Sequence, residues 1–343
     1  MRKTFTLLLF AGSLFFTTET DAQNFEDPGA YMQHISTQHS NISKRFLSYN
    51  SAASHGKRAK KVEKLREQLL DEVQEARMNI SGMPKFKGDA AYRDSSVSFM
   101  KFYYNILNDD YSKIVNMEEI AEQSYDEMEA YIMLQEQVDK KMEEANERMH
   151  TAQKLFASQN NINLVSSNDE MSEKMKTVGD VNAHYHQVYL AFFKPYLQSQ
   201  TLAKSIEKGN ISGIEQDKNA LQKYAQEALT KLETIKPYEG DAALKGACKQ
   251  LMQFYIKQST DYIKPITDFL LVQERFETIK KDFEKKSDHD QKEVDGYNKA
   301  VNDINAASGK YNQANKDIFE RGKENLDNWN KTVTGFFDEH MPR

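Results

Sequence analysis

The feature that most constrains the fold of this chain is a segment that occurs twice. Residues Phe86 to Ala91 return as Tyr238 to Ala243 with the shared pattern aromatic-x-Gly-Asp-Ala-Ala, and Met100 to Tyr103 return as Met252 to Tyr255 at the same spacing. Similarity at one constant spacing is typical of an internal duplication in which each copy forms one structural unit. Upstream, Leu69 and Glu75-Ala76 match Leu221 and Glu227-Ala228 at the same spacing. Downstream, Val138-Asp139 and Asn146 match Val294-Asp295 and Asn302 if about one helical turn is inserted in the second copy.

The duplication predicts that the mature chain is divided into two domains. We assign residues 23–159 to repeat 1 and residues 180–343 to repeat 2, joined by a polar linker over residues 160–179 that is rich in Asn and Ser. A mature chain of about 320 residues exceeds what one compact core usually serves, so its length also favours two domains.

The hydrophobic pattern within each copy predicts helices. Apolar residues recur mostly at intervals of three and four, for example from Phe99 to Ile114 and from Phe269 to Phe283, and no stretch alternates with period two. Gly and Pro are scarce, at 14 and 6 residues, which also favours helices. We predict an all-α fold of two tandem antiparallel bundles, each with about four helices, several of them long and amphipathic. The final amphipathic helix carries Trp329 and Phe336.

Glycine, proline and polar clusters predict where the helices end. The run from Asn108 to Asp110 predicts the start of a new helix, and Pro265 in the second copy suits the first turn of a helix. The predicted breaks between helices are residues 51–56, 82–88, 209–213, 236–240 and 285–290.

The N-terminus has the pattern of a cleavable signal peptide over residues 1–22. Arg2 and Lys3 precede an apolar run over residues 4–16, and Ala22 is a small residue at the expected cut. The apolar run is well short of the roughly 20 residues that a bilayer-spanning helix needs. We therefore expect an exported protein that is periplasmic, at the cell surface or secreted, with no transmembrane segment after cleavage.

Charge and cysteine content exclude several classes of protein. The net charge is −6 with both signs interspersed, so we expect no nucleic-acid partner. The only cysteine, Cys248, lies outside the signal peptide, which excludes an internal disulfide and argues against an N-terminal lipid anchor. We expect Cys248 to be a small buried hydrophobe, although an intermolecular disulfide is the alternative.

The duplicated segment supplies the candidate binding residues. In one interpretation, the glycines take an unusual backbone angle and the aspartates cap the helix that follows, which makes the segment a structural helix start. In the other, the two loops form equivalent binding positions with aromatic side chains beside them. The candidate residues are Phe86, Gly88, Asp89 and Tyr103 in the first copy and Tyr238, Gly240, Asp241 and Tyr255 in the second.

A metal site has only weak candidates. Glu147 and His150 are spaced as ligands are in di-iron bundles, but such sites need a second Glu-x-x-His motif, which the chain lacks. His184 and His186 are two residues apart, so on a helix their rings diverge. We expect no cofactor. No nucleophile elbow, zinc-protease motif or phosphate-binding glycine loop occurs, which argues against an enzyme.

A stretch of the first copy carries a distinctive set of residues: Gly88-Asp89, Phe102 to Tyr104, Leu107-Asn108, Tyr111, Lys113 and Ile120 to Tyr125. With these residues it resembles a family of exported helical surface proteins from spirochaetes and Bacteroidetes-type bacteria. The resemblance implies a location in the cell envelope and supplies no catalytic or binding residues, because the family's activity is unassigned. The Ala22-Gln23 junction also resembles export signals that are common in the second of those groups.

Three functions follow from the sequence as hypotheses. The first is a non-enzymatic envelope or surface protein that acts as a binding or spacer module for an unknown envelope or extracellular protein or glycan. The second is a carrier that holds a metal, a haem or an apolar ligand in the bundle core. The third is a hydrolase whose site would lie at the link between the copies, with Asn161 to Gly179 closing a pocket of acidic residues.

Overall fold

The computed structural model describes residues 25–54, 59–110, 123–164 and 170–342, and within them the fold is all-α. Helices α1 (Pro28–Ser54) and α2 (Ala59–Ser81) are followed by α3 (Ala91–Asn105), which continues into a π-helix, π1 (Ile106–Asp110). The remaining elements are α4 (Tyr125–Gln159), α5 (Glu170–Glu207), α6 (Ile211–Thr234), α7 (Ala243–Lys257), a second π-helix π2 (Gln258–Tyr262), α8 (Ile263–Glu284) and α9 (Gln291–His340).

The chain forms two compact units whose limits differ from the predicted repeats. One unit comprises Met1–His186 together with Thr334–Arg343, and the other comprises Gln187–Val333. We call them unit 1 and unit 2. The end of α9 therefore belongs with the first half of the chain, where the Phe336 ring lies 5.6 Å from His184 and the Phe337 ring lies 4.9 Å from Tyr185.

The segment predicted as a polar linker is helical in its second half. Helix α5 begins at Glu170, and it already carries the buried side chains Met175 and Val178. These two residues and Val181 follow one another at intervals of three, so the segment has an apolar stripe despite its polar composition. The predicted signal peptide, residues 1–22, lies outside the described residues, as do residues 111–122 of the stretch that carries the family resemblance.

The duplicated aromatic-x-Gly-Asp segment forms the same turn in both copies. In the first, Phe86 and Asp89 exchange two backbone hydrogen bonds, and Lys87 and Gly88 both have positive φ, at 48° and 87°. Two central residues with positive φ define a type I′ turn. In the second copy Glu239 and Gly240 have φ of 48° and 92°, and Tyr238 and Asp241 form the matching bridge.

The aspartate of each turn accepts a hydrogen bond from the first residue of the next helix. The Ala91 backbone N–H donates to Asp89 Oδ1 at 2.7 Å, and the Ala243 N–H donates to Asp241 Oδ1 at the same distance. A carboxylate at this point satisfies one of the amides that a helix leaves unpaired at its N-terminus. These are the contacts expected from the helix-start interpretation of the repeated segment.

The predicted helix start at Asn108 is wrong, because α3 continues through it as the π-helix π1. The equivalent residues of the second copy form π2, which leads directly into α8. Pro265 lies in the first turn of α8, as predicted, although no loop precedes it. Proline lacks the backbone N–H that the interior of an α-helix requires, and Pro265 lies where the π-helix ends and the α-helix begins.

Apolar stripes from each helix form the cores. In unit 1 the Tyr31 ring stacks on Phe156 at 5.5 Å, and Tyr92 stacks on the same ring at 5.0 Å. In unit 2 the Trp329 ring stacks on Phe192 at 4.5 Å. Cys248 is fully buried in α7, as expected for a small hydrophobe, and burial raises the pKa of its thiol. No helix of the described residues contains an apolar stretch sufficient to cross a membrane.

The two glycines Gly240 and Gly246 make a matched test of the repeated turn. An added Cβ meets no atom within 4 Å at either position, so only backbone preference distinguishes them. We expect Gly240→Ala to lower the free energy of unfolding by about 1–2 kcal/mol, because its φ is positive. We expect Gly246→Ala, inside α7, to raise it by up to about 1 kcal/mol. Denaturant unfolding measures both, and effects of the same sign would contradict the assignment.

Candidate interaction site

The residues singled out in the duplicated segments have structural surroundings. Phe86 is buried, with its ring 5.2 Å from both Tyr31 and Phe156. Tyr103 and Tyr255 are buried in equivalent positions on α3 and α7, and burial raises the pKa of both phenols. Gly88 and Gly240 lie at the exposed turns, Asp89 and Asp241 bond the following helix, and Tyr238 is half-buried.

The histidine and glutamate candidates are dispersed. Glu147 is exposed on α4, whereas His150 is half-buried, with a pKa lowered first by burial and then by Lys154. No group of three possible metal ligands within the described residues includes either of them. His184 and His186 are both buried on α5, and burial lowers the pKa of His186 to about 4. These four residues do not assemble one site.

The core of unit 1 encloses polar atoms that have no hydrogen-bond partner among the described residues. His39 is fully buried with its ring stacked on Phe99 at 5.3 Å, and its Nε2 is one of these atoms. The hydroxyl of Tyr103 is another, whereas in unit 2 the equivalent hydroxyl of Tyr255 accepts from Ser199 Oγ at 3.4 Å. Further members of this set are Asn50 Oδ1, Gln135 Oε1 and Asp139 Oδ1.

Unit 2 contains a two-helix hairpin formed by α8 and the first part of α9. Asp290 and Glu293 form a capping box at the start of α9: the Glu293 N–H donates to Asp290 Oδ1 at 2.8 Å, and the Asp290 N–H donates to Glu293 Oε2 at 3.1 Å. The Phe283 ring stacks on His289 at 3.6 Å beside the turn. The chain therefore reverses sharply between residues 284 and 291.

Aromatic pairs fix the register of this hairpin. The Phe269 ring lies 4.5 Å from Tyr311, and the Phe283 ring lies 4.5 Å from Tyr297. As residue numbers rise along α8, their partners on α9 have lower numbers, so the two helices run antiparallel. A seam between only two helices covers one edge of each apolar stripe and leaves the rest uncovered.

The uncovered part is an open groove of ≈ 530 Å³ between α8 and α9. Its apolar surface includes Leu271 and Ile279, which are 42% and 40% exposed. Exposed apolar surface in a connected strip marks an interaction site more often than apolar residues scattered singly. Opposite them, α9 contributes the small residues Ala300, Ala306 and Ala307.

Charged residues of both signs border the groove. Asp268 and Arg275 come from α8, and Asp303 and Lys310 come from α9. Asp268 forms an ion pair with the exposed Lys264, with 2.9 Å between Lys264 Nζ and Asp268 Oδ2. Among the described residues, no ion pair within 4.0 Å involves the other three charges, so they remain available to a bound molecule.

Sequence reasoning did not place the candidate site here. It identified Phe269, Phe276 and Ile279 only as part of a helical apolar stripe, and it assigned no role to the bordering charges. The available signal was an acid and a base two turns apart on each of two neighbouring helices. For the core of unit 1, the signal was a polar residue within an apolar stripe, as His39 is between Ile35 and Ile42.

Burial of His39 predicts a stability that depends on pH. The unfolded imidazole takes up a proton near pH 6.5, whereas burial lowers the pKa of folded His39 to about 4. The unfolded state binds more protons between these values, so the free energy of unfolding falls as the pH drops through them. We expect His39 to contribute about 3 kcal/mol of this loss.

Replacement of His39 by leucine tests that contribution. His39→Leu should flatten the dependence of the unfolding free energy on pH between about 6.5 and 4, with His186 supplying the same type of dependence in both proteins. Denaturant unfolding at a series of pH values gives the comparison. An unchanged slope in the variant would show that His39 does not resist protonation.

Neither a family model, nor a curated protein, nor a solved structure matches this chain.

Proposed function

We propose that this chain is an exported, non-enzymatic envelope or surface protein whose helices act as an interaction module. The observation that carries the proposal is the open groove between α8 and α9, with Leu271 and Ile279 exposed inside it. A hairpin that only had to close on itself would gain from covering these side chains, since burial of apolar area is the main stabilising term in folding. A partner that covers the groove supplies the missing burial.

Export is the second part of the proposal and rests on the N-terminal sequence. Arg2 and Lys3, the apolar run over residues 4–16 and the small residue Ala22 match a signal peptide. The resemblance of the first copy to exported surface proteins agrees with this location. A spacer role is compatible with an interaction module, because long helices hold a binding surface at a distance from an anchoring point.

A carrier of a small ligand is the second candidate function. It is favoured by the enclosed polar atoms of unit 1, above all His39 Nε2 and the Tyr103 hydroxyl. Buried polar groups are almost always hydrogen-bonded, so a water or another polar guest would supply the partners that these atoms lack. Absorbance and native mass spectrometry of the purified protein test it: a bound metal, chromophore or lipid favours a carrier, and their absence discards it.

Intact mass measurement tests export. We expect the protein purified from its native cells, or from a host with a general export pathway, to begin at Gln23. A protein recovered from the cytoplasm that retains residues 1–22 would contradict the proposed export. The measurement is independent of the groove.

Photo-cross-linking in the cell envelope tests the interaction site. A photoreactive side chain at position 271 should give adducts, because this position is exposed inside the groove. The same probe at Glu277 serves as the control, because Glu277 is exposed but lies nearly opposite Arg275 around α8. Equal yields from both positions, or no adduct at position 271, would contradict the groove as the site of interaction.

A further inference from the structure

The charges around the groove follow the same order on both of its helices. On α8, Asp268 precedes Arg275 by two turns, and on α9, Asp303 precedes Lys310 by two turns. All four side chains line the same groove. Each helix therefore presents one acid and one base, with the acid closer to the helix N-terminus.

The midpoints of these two charge pairs are apolar. Leu271 and Val272 lie midway between Asp268 and Arg275, and all four line the groove. On α9, the equivalent midpoint consists of two small residues that also line it, Ala306 and Ala307.

The two midpoints lie at the same level of the hairpin. The ring pair Phe269 with Tyr311 fixes the antiparallel register. Counting from that pair toward the turn brings Leu271 and Val272 to the level of Ala306 and Ala307, within about two residues. The groove thus has an apolar central level. On each side of that level lie one acidic and one basic side chain, one from each helix.

A two-fold axis can pass through this level, perpendicular to the helices and in the plane of the open face. Rotation by 180° about this axis exchanges the levels of the acidic and basic residues on each helix. Rotation about it lays α8 of one molecule antiparallel on α8 of another, with Asp268 opposite the second copy's Arg275. On α9 it brings Asp303 opposite the second copy's Lys310. Two hairpins joined in this way form a four-helix bundle in which neighbouring helices are antiparallel.

We infer that the groove binds the same groove of a second copy of this chain and so forms an antiparallel dimer. The inference rests on the proposed interaction role and names its partner. The pairing covers Leu271 and Ile279 in both molecules, and it gives Arg275, Asp303 and Lys310 the ion pairs that the described part of one molecule does not supply. The alanines of α9 allow the facing helices to approach closely.

The antiparallel orientation sets an acid opposite a base at all four charged positions of the groove. A two-fold axis parallel to the helices would instead lay α8 on the second copy's α9, with Asp268 near the second copy's Lys310 and Arg275 near its Asp303. Reversing both α9 charges would then not restore binding, which distinguishes the two orientations. An unrelated apolar partner would require no matched order on the two helices.

Charge exchange within α9 tests the dimer directly. Sedimentation of the mature full-length protein should show a dimer. Asp303→Lys alone and Lys310→Asp alone should each raise its dissociation constant by about tenfold or more, because like charges then face each other. The double variant should restore the constant to within about threefold, because opposite charges meet again at every site.

Variants of the two α8 charges, and a control variant of Glu277 on the outer face of α8, complete the experiment. Asp268→Arg and Arg275→Asp should follow the same rule, weakening the dimer singly and restoring it together. Glu277→Lys on the opposite side of α8 should leave the dissociation constant unchanged. Helical circular dichroism confirms that each variant is folded, so that loss of the dimer reports on the interface.

Several outcomes would overturn the dimer. The first is a monomer at concentrations up to about 100 µM, and the second is a double variant as weak as the single ones. Dissociation by Glu277→Lys would place the contact elsewhere. If position 271 cross-links only to a different protein, the interaction role stands and the dimer falls, whereas no adduct at all removes both.

Discussion

The whole structure depends on burial of the apolar stripe that each helix carries. A helix satisfies its own backbone hydrogen bonds, but its stripe stays in water unless another element covers it. In the core of unit 1, Tyr31, Tyr92 and Phe156 show how several helices meet around shared aromatic rings. Where only α8 and α9 pack against each other, part of each apolar stripe stays exposed to water. The incomplete burial at that hairpin connects the fold to the proposed function.

The helical class and most helix ends could be predicted, because their signals are local. Gly88 and Gly240 mark turns that require positive φ, and Asp89 and Asp241 bond the helices that follow them. The π-helix after Asn105 was missed because Asn108 and Asp109 have the composition of a helix start. Polar composition likewise concealed the beginning of α5, where two buried side chains are enough to define a stripe.

The candidate site was harder to predict than the fold, because it depends on which side of a helix remains uncovered. Hydrophobic spacing shows that Ile279 belongs to a stripe, but it does not show that the stripe is left 40% exposed at this residue. The repeated residues were candidates for binding because they occur twice, but in both copies they form the same turn. In the core, the Tyr103 and Tyr255 phenols occupy equivalent positions, yet among the described residues only the Tyr255 hydroxyl accepts a hydrogen bond, from Ser199 Oγ.

The deep placement of Cys248 has a practical and biological consequence. A thiol that is fully buried and whose pKa is raised by burial presents almost no thiolate to an oxidant or an alkylating reagent. In an oxidising compartment such a chain avoids accidental cross-linking to neighbouring proteins without giving up its cysteine. In the laboratory, a fluorophore or spin label can be attached at a newly introduced surface cysteine while the native residue stays in place.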